Sequence, residues 1–413
     1  MLRKVEFENF MTLKNASVTL DPFNVFIGRN GAGKSAVFKG LVTLSKLVGE
    51  QPVYLRKTGA DFFLEPGVTL DDLVWMGNTG LPIRFRVWFD SDQGEPDYSL
   101  ELTKGRAGWS VSREKIRING AILEVDDSRT FKHPTETGAQ RALKGPLPGT
   151  LRRMVQNYMQ DEKARTAIEP IIENSRRFGS VWRYRPSAFD IAAFFTAERP
   201  SKGVESSRRK NQNRLSVWTN GRGLSVVMQE LQGRSRDVYE KIENRVHSIF
   251  DHVTRIGFDA GPEGVRLNFM TTRSNALVPA PQEADGVLLA TFLCWRLFTA
   301  VPPMTICLED PENGLYPELI DERYKLLREF TEPASAASPT AQILVSSHSS
   351  EFLRVLKKHQ SEFPMVRAVG FLPGQGTKIE SLRGYKDAGN LLDHFGSGES
   401  VLPSMWATKT SPQ

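Results

Sequence analysis

Residues 28–35 read Gly-Arg-Asn-Gly-Ala-Gly-Lys-Ser, and this stretch decides how the rest of the chain is interpreted. The apolar run Phe23–Ile27 precedes it, and residues 36–42, which suit a helix, follow it. A strand, a glycine-rich turn and a helix in this order form an anion-binding loop. The glycines let backbone N–H groups approach phosphate oxygens, and the helix N-terminus adds a favourable dipole. The sequence therefore predicts a phosphate-binding P-loop rather than an incidental glycine-rich turn.

The positions of this loop have separate predicted roles. The Lys34 amine is expected to bridge the β- and γ-phosphates, and the Ser35 hydroxyl to take one coordination position on Mg²⁺. Glycine at positions 31 and 33 tolerates torsions and contacts that a Cβ forbids. The predicted ligand is a nucleoside triphosphate with Mg²⁺. The residues expected to bind it are Gly28, Asn30, Gly31, Ala32, Gly33, Lys34, Ser35 and Ala36.

The composition predicts a globular protein. The chain has 413 residues, of which 39% are hydrophobic, and a formal net charge of +6 that ATP, nucleic acid or an acidic protein would all fit. It has no apolar run as long as a membrane span and no apolar signal region at the N-terminus, so we expect a cytoplasmic protein with no membrane partner. Cys294 and Cys307 lie in apolar segments and are expected to be small core residues.

Patterns of hydrophobicity divide the chain into three segments. Residues 1–120 contain alternating strands and the P-loop, and they predict the N-terminal part of a mixed α/β domain with an antiparallel β lobe. Residues 121–250 show helical periodicity and predict an inserted helical or lid subdomain. Residues 251–413 predict the C-terminal part of the same α/β domain. The strands expected in the first segment cover residues 2–10, 16–20, 83–89, 98–102, 109–111 and 115–120.

A basic stretch lies within the middle segment. Residues 199–214 carry six basic residues and one acidic residue among turn formers. Such a stretch can contact nucleic-acid phosphates or can simply be a solvated loop. The solvated loop is favoured, because no aromatic residue lies within the stretch to stack a base. Nucleic acid therefore stays an open partner.

Acidic residues follow a second buried strand. Residues 304–308 form a short apolar run that ends directly in Glu309, Asp310 and Glu312. In a P-loop protein one carboxylate at such a strand end holds Mg²⁺, here Glu309, and a neighbour orients or deprotonates the attacking water. A charged turn explains any one of these acids but not all three together.

A histidine follows a third apolar run. Residues 342–345 lead through Ser346 and Ser347 to His348, and a helical stretch begins soon afterwards. An imidazole at the tip of a strand can hydrogen-bond the γ-phosphate or the attacking water. Although a histidine at a strand end is often structural, its order after the P-loop and the acidic strand predicts a γ-phosphate role for His348.

Taken together, these motifs resemble those of ABC-type ATPase heads of the RecF, SMC and OLD group. The chain is most similar to the small AAA15/AAA21-type ATPases found beside effector genes in bacterial defence and toxin systems. The resemblance implies a P-loop NTPase fold of the ABC head type, with ATP and Mg²⁺ as cofactors. It is carried by Glu8-Asn9-Phe10, by residues 23–31, by the Walker B and D-loop-like residues 308–317, and by Ser347-His348-Ser349.

The same resemblance implies a segment that acts on a second subunit. Residues Glu283-Ala284-Asp285-Gly286 match the family signature that contacts the γ-phosphate bound by the other subunit. Ala284 replaces the usual serine, which leaves Asp285 and the Gly286 amide as the trans-acting part. The implied state is a homodimer, or a higher homo-oligomer, closed around ATP.

Three departures from the family pattern affect the expected chemistry. Walker B usually runs Asp then Glu, whereas this chain has Glu309 and the shorter Asp310, so we expect slow hydrolysis. Glu312 is an alternative to Asp310 as the base that activates the attacking water. Tyr316 stands where a histidine is common, and no convincing glutamine occupies the position of a Q-loop.

The resemblance implies an ATPase that acts as a switch or sensor subunit for a separately encoded effector, such as a nuclease, in bacterial anti-phage defence. The alternative is a RecF-like DNA-binding ATPase of repair or recombination, and a non-hydrolysing nucleotide sensor also stays open. An OLD-type fused nuclease is disfavoured because few residues follow His348 and no paired acids of the Asp-x-Asp kind lie there. A long-armed cohesin-like machine is disfavoured because sustained heptads are lacking.

Overall fold

The computed structural model describes two compact units, and each is built from separate stretches of the chain. The first comprises residues 1–183, 303–307 and 342–413, and the second comprises residues 184–302 and 308–341. The described residues are 1–48, 68–89, 94–106, 108–118, 121–125, 130–132, 140–142, 181–184, 223–261, 264–272, 274–300, 304–313, 315–331, 341–359, 365–383, 385, 388–396 and 402.

An eight-stranded antiparallel sheet lies in the first unit. Its strands at residues 4–10, 83–88 and 98–105 alternate buried and more exposed residues, as a sheet with one face on a core requires. On the outer face Arg84 pairs with both Glu8 and Glu101 across neighbouring strands. The strand order is β2-β1-β4-β5-β6-β7-β8-β9. The bounds are β1 Lys4–Phe10, β2 Leu13–Thr19, β4 Ile83–Trp88, β5 Tyr98–Gly105, β6 Gly108–Ile118, β7 Ala121–Val125, β8 Thr130–Lys132 and β9 Gln140–Ala142.

A six-stranded mixed sheet has the order β10-β14-β15-β3-β16-β17. Strand β3 runs parallel to both β15 and β16, whereas β16 and β17 are antiparallel. Every residue of β3 and of β15 is buried, as expected of parallel strands covered on both faces. The bounds are β3 Phe23–Ile27, β10 Val181–Tyr184, β14 Met304–Glu309, β15 Ala341–Ser347, β16 Val366–Leu372 and β17 Gly376–Ser381.

Helix α1, Lys34–Val48, shares one core with the two sheets of this unit. The Phe38 ring of α1 meets the Phe26 ring of β3 edge-on at 5.4 Å between centroids. A Cβ at Gly40 would lie 2.5 Å from the Phe7 ring of β1, so the helix approaches the antiparallel sheet too closely for a side chain there. Two further helices, α6 Ser350–Lys358 and α7 Ala388–Gly396, pack against each other.

In the residues that the structure describes, the second unit combines a three-stranded antiparallel sheet with four helices. The Tyr239 hydroxyl of α3 donates to the Ile256 carbonyl of β11 at 2.5 Å, which fixes this helix to the sheet. Helix α3 also packs against α4, whose residues are nearly all buried. The bounds are α2 Leu224–Arg234, α3 Arg236–Ile249, β11 Val253–Gly261, β12 Gly264–Thr271, β13 Ser274–Pro279, α4 Asp285–Phe298 and α5 Pro317–Glu329.

The described residues confirm the predicted α/β class, the mixed sheet and the antiparallel strands, and both cysteines are buried as expected. The helical expectation for residues 121–250 is wrong at the strands that the structure describes before residue 224. Strands β7, β8 and β9 continue the antiparallel sheet, and β10 joins the mixed one. The two strands expected at 109–111 and 115–120 belong to the single strand β6 as far as residue 118, and residues 119 and 120 lie outside the described residues. The division into three segments stays a prediction, and the basic stretch 199–214 lies outside the described residues.

Candidate nucleotide-binding site

The predicted P-loop connects β3 to α1 through backbone conformations that favour glycine. Gly31 has a φ angle of 80° and Gly33 a φ angle of 109°, both in the left-handed half of torsion space. A Cβ at Gly33 would lie 2.1 Å from the Thr377 hydroxyl oxygen, and a Cβ at Gly28 would lie 2.2 Å from the Val369 carbonyl oxygen. The loop therefore needs glycine for both its torsions and its contacts.

The Lys34 ammonium group folds back over the start of the loop. It donates to the Gly28 carbonyl oxygen at 2.6 Å and to the Arg29 carbonyl oxygen at 3.1 Å. Only 7% of this residue is exposed. The amine is thus held beside the glycine loop, with carbonyl groups compensating part of the cost of burying its charge.

Helix α1 begins directly after the loop. The Ala36 and Val37 amides both donate to the Gly33 carbonyl oxygen, at 3.1 Å and 3.3 Å. The backbone amides of the first helical turn have no carbonyl one turn earlier within the helix, so the positive end of the helix dipole lies at Lys34 and Ser35. A glycine loop followed by a helix N-terminus is the arrangement that binds phosphate in proteins.

His348 lies at the same sheet edge as the P-loop. Ile27, the last residue of β3, is the register partner of Ser347, the last residue of the parallel strand β15. Gly28 and His348 therefore follow neighbouring strands at the same carboxyl edge. The Ser349 hydroxyl accepts from the Phe352 amide and caps α6, which fixes the chain direction just after the exposed His348. The role predicted for His348 stays a prediction.

The acidic segment follows strand β14, which neighbours β15 in the mixed sheet. The Thr305 hydroxyl, near the start of β14, donates to the Gln342 side-chain oxygen near the start of β15 at 3.2 Å. Glu309 ends the strand and is buried, as is Glu312, whereas Asp310 has a φ angle of 46°. These three acids belong to the second compact unit, so their convergence with Lys34 stays a prediction.

Sequence reasoning missed Arg323, a buried arginine of α5. Its guanidinium donates to the carbonyl oxygen of Pro311, which lies between Asp310 and Glu312. The signal was present in the sequence, because Arg323 falls three residues after the buried Ile320 and four before the buried Leu327. It therefore shares the apolar face of the helix, and it ties the acidic turn to α5.

The predicted signature residues lie at the N-terminus of α4. Ala284 occupies the N-cap position and makes no side-chain cap, as expected from the missing hydroxyl. Asp285 is exposed and Gly286 is buried. The Glu283 carboxylate accepts from the Ala284 amide at 3.1 Å and lies 3.2 Å from the His252 ring nitrogen. These contacts fix the approach to α4 within the second unit.

Two negative findings apply to the described part of the chain. No group of three or more His, Cys, Asp or Glu side chains there is arranged to hold a metal ion. No helix there is long and apolar enough to cross a lipid bilayer.

Comparisons with known proteins give one family and similar solved structures. A family model described as "AAA domain, putative AbiEii toxin, Type IV TA system" matches residues 23–354, which include the P-loop, the acidic segment and His348. No curated protein matches the chain.

Two of the solved structures that match contain SMC heads. The SMC head domain from Thermotoga maritima is 11% identical, with a TM-score of 0.40 over 92% of this chain and 98% of that chain. The Smc head domain from Pyrococcus furiosus, with an extended coiled coil and bound to the C-terminal domain of ScpA, is 12% identical. Its TM-score is 0.40 over 92% of this chain and 96% of that chain.

Proposed function

The chain belongs to this family of AAA domains of the AbiEii toxin type, and from that premise we propose that it is an ATPase that dimerises around ATP and switches a separate effector protein. The observation that carries the proposal is the loop at residues 28–35. Gly31 and Gly33 have left-handed torsions, and the Lys34 amine is held against the loop at the N-terminus of α1. Glycine, lysine and helix dipole all favour a polyphosphate.

The residues present fit a nucleoside triphosphate. The Lys34 amine contacts two carbonyl oxygens of its own loop, and phosphate oxygens can replace these contacts at little electrostatic cost. Gly31 has open space around the position of a Cβ, so a ligand can approach the backbone there. Mg²⁺, when bound, supplies positive charge that offsets the phosphates, and Ser35 and Glu309 are the residues proposed to hold it.

The remaining residues have proposed roles in hydrolysis. Asp310 or Glu312 orients the attacking water and accepts its proton, and His348 hydrogen-bonds the γ-phosphate or this water. The burial of Glu309 and Glu312 supports a water-poor surrounding for the acids, in which charged groups interact more strongly. Because Asp310 is shorter than the glutamate usual in the family, the proposed hydrolysis is slow.

Asp285 and Gly286 are proposed to contact ATP held by a second copy of the chain. The exposure of Asp285 at the start of α4 supports this, because a partner subunit can reach it. A ligand that prefers the closed dimer by about 5.5 kcal/mol moves a population from 1:99 to 99:1. ATP would then hold the dimer together and hydrolysis would release it.

Binding and dimerisation are tested with two variants. Lys34→Ala should abolish detectable ATP binding, measured by calorimetry, and should leave the protein monomeric by light scattering. The double variant Glu309→Gln with Asp310→Asn should still bind ATP and should accumulate as a dimer. Without hydrolysis, the closed dimer is not released. Continued phosphate release by the double variant would show that the acids are misassigned. An unchanged Lys34→Ala protein would contradict the proposal as a whole.

The effector is proposed from the family alone. The family description refers to a toxin of a toxin–antitoxin system, which supports a place beside a separately encoded effector such as a nuclease. Co-purification with the product of the neighbouring gene, with and without ATP, tests this. ATP-dependent and salt-sensitive binding of duplex DNA, without such a partner, would instead favour the RecF-like alternative.

A further inference from the structure

We propose that Thr377 is a positioning residue of the P-loop, and that its hydroxyl aims the Gly33 amide at the bound phosphates. The inference rests on the proposed nucleotide binding and adds to it a residue far outside the loop motif. Thr377 is the second residue of β17, the edge strand of the mixed sheet. It is fully buried, although its hydroxyl is polar.

The Thr377 hydroxyl contacts two groups from distant parts of the chain. It lies 3.0 Å from the Ala32 carbonyl oxygen in the P-loop and 2.8 Å from the Thr12 hydroxyl oxygen in the turn between β1 and β2. The Thr377 amide also donates to the Thr12 carbonyl oxygen at 2.8 Å. The residue therefore connects the phosphate loop to the antiparallel sheet within one compact unit.

The direction of these hydrogen bonds follows from the groups involved. A carbonyl oxygen can only accept, and a hydroxyl carries a single hydrogen. The hydrogen of Thr377 therefore points at Ala32, and the Thr12 hydroxyl is the donor toward the Thr377 oxygen. Both hydroxyls are satisfied in this arrangement. The Ala32 carbonyl thereby has a hydrogen-bond donor from outside its own loop.

The orientation of one peptide group links this bond to phosphate binding. The Ala32 carbonyl and the Gly33 amide belong to the same planar peptide group, and in a trans peptide they point in opposite directions. Holding the Ala32 oxygen against Thr377 therefore turns the Gly33 N–H away from β17, toward the ligand side of the loop. A preoriented donor binds an anion without the cost of ordering the peptide group first.

The close packing at Gly33 supports this orientation. A Cβ at position 33 would lie 2.1 Å from the Thr377 hydroxyl oxygen and 2.8 Å from the Thr12 hydroxyl oxygen. The two threonines thus fill the space behind the loop, and the glycine lets them reach the backbone. Without the Thr377 hydroxyl, the Ala32 peptide group would lose the contact that fixes its rotation.

The test compares three variants of the full chain in binding Mg-ATP and Mg-ADP, measured by calorimetry. Thr377→Val keeps the shape and removes the hydroxyl, and it should weaken both affinities about tenfold, the value of one well-placed hydrogen bond. Thr377→Ser keeps the hydroxyl and should restore affinity to within about twofold of the wild type. Thr12→Val removes the neighbouring hydroxyl but leaves the bond to Ala32 and should bind like the wild type.

Hydrogen exchange of the P-loop peptide without nucleotide gives a second measure. Thr377→Val should speed exchange in residues 28–35, because the loop backbone loses an anchor, and Thr12→Val should do so much less. If Thr377→Val does not fold, Thr377→Ala removes the same hydroxyl with a smaller side chain and replaces it in both measurements.

The outcomes separate this inference from the proposed function. Failure of the wild-type protein to bind ATP would contradict both. If the wild type binds ATP and Lys34→Ala does not, but folded Thr377→Val binds as the wild type does, nucleotide binding stands and the positioning role is overturned. Equal losses in Thr377→Val and Thr12→Val would assign the effect to general packing and would also overturn it.

Discussion

Cys294 illustrates how burial sets the chemistry of a single side chain. It lies on α4 with no exposed surface, and desolvation raises the pKa of its thiol to about 12 from an ordinary value of 9.0. The thiolate is the reactive form of cysteine. The thiol is therefore expected to resist alkylating reagents at pH 8 for as long as the protein stays folded.

The raised pKa of Cys294 predicts a loss of stability in alkali. Because the folded state favours the neutral thiol, its contribution is fully present below pH 9 and is lost as the pH rises toward 12. The free energy of unfolding, measured in urea for the wild type and for Cys294→Ala, should show this. The difference between the two proteins should shrink by about 1.4 kcal/mol between pH 8 and pH 10. A difference that does not vary with pH would contradict the prediction.

Single residues also show what a local motif can and cannot reveal. The glycines at 28, 31 and 33 could be recognised because their spacing carries a backbone requirement, which the torsions bear out. Thr377 could not be recognised, because its hydrogen bond to Ala32 joins positions separated by 345 residues. Nothing near Thr377 in the sequence indicates a partner in the P-loop.

Among the secondary-structure elements, those with a strong local signal were predicted best. Strands β3 and β15 each contain a short run of mainly apolar residues, and such runs bounded by turn signals are consistent with buried strands. Strand β7, Ala121–Val125, was assigned to a helical segment, since five residues cannot distinguish the two periods. Its pairing with β6 decides its conformation, and that partner acts through tertiary structure.

Helix α4 has no side-chain cap at its N-terminus. Ala284 has the extended torsions of an N-cap residue, with φ −66° and ψ 140°, but no oxygen to accept from the first turn. Ala284→Ser should therefore raise the free energy of unfolding by about 1 kcal/mol, measured in urea. Under the proposed function the same hydroxyl should also strengthen ATP-dependent dimerisation.

Ala284→Val is the matched control for this substitution. Valine adds volume at the same position without a hydrogen-bond acceptor, so it should give no increase in stability. An equal gain from valine and serine would mean that burial of apolar surface, and not capping, is responsible.

The first compact unit is held together by contacts between distant parts of the chain. Arg367 of β16 is 4% exposed and donates to the Asp21 carboxylate at 2.6 Å, while its neighbour Arg383, which is 63% exposed, reaches the same carboxylate. Burial, partly offset by Asp21, lowers the pKa of the Arg367 guanidinium. Gln342 also donates to the Leu2 carbonyl oxygen at 2.7 Å. The start of the sequence is therefore fixed to the last strands of the mixed sheet.

The two arginines give a prediction about the stability of this unit. Arg367→Met should lower the free energy of unfolding by about 3 kcal/mol, because it removes the buried partner of Asp21. Arg383→Met removes an exposed partner of the same acid and should cost less than about 1 kcal/mol. Urea denaturation monitored by circular dichroism measures both. Equal costs would show that burial does not govern these ion pairs.

The hydrogen bond from Thr377 to Ala32 has a consequence for the nascent chain during translation. The two residues are 345 positions apart, so at about 5–20 residues per second a ribosome needs roughly 17–70 s to reach the second after making the first. During this interval the P-loop lacks the hydrogen bond from Thr377. A nascent chain stalled before Gly376 would carry the whole nucleotide motif and still hold ATP poorly.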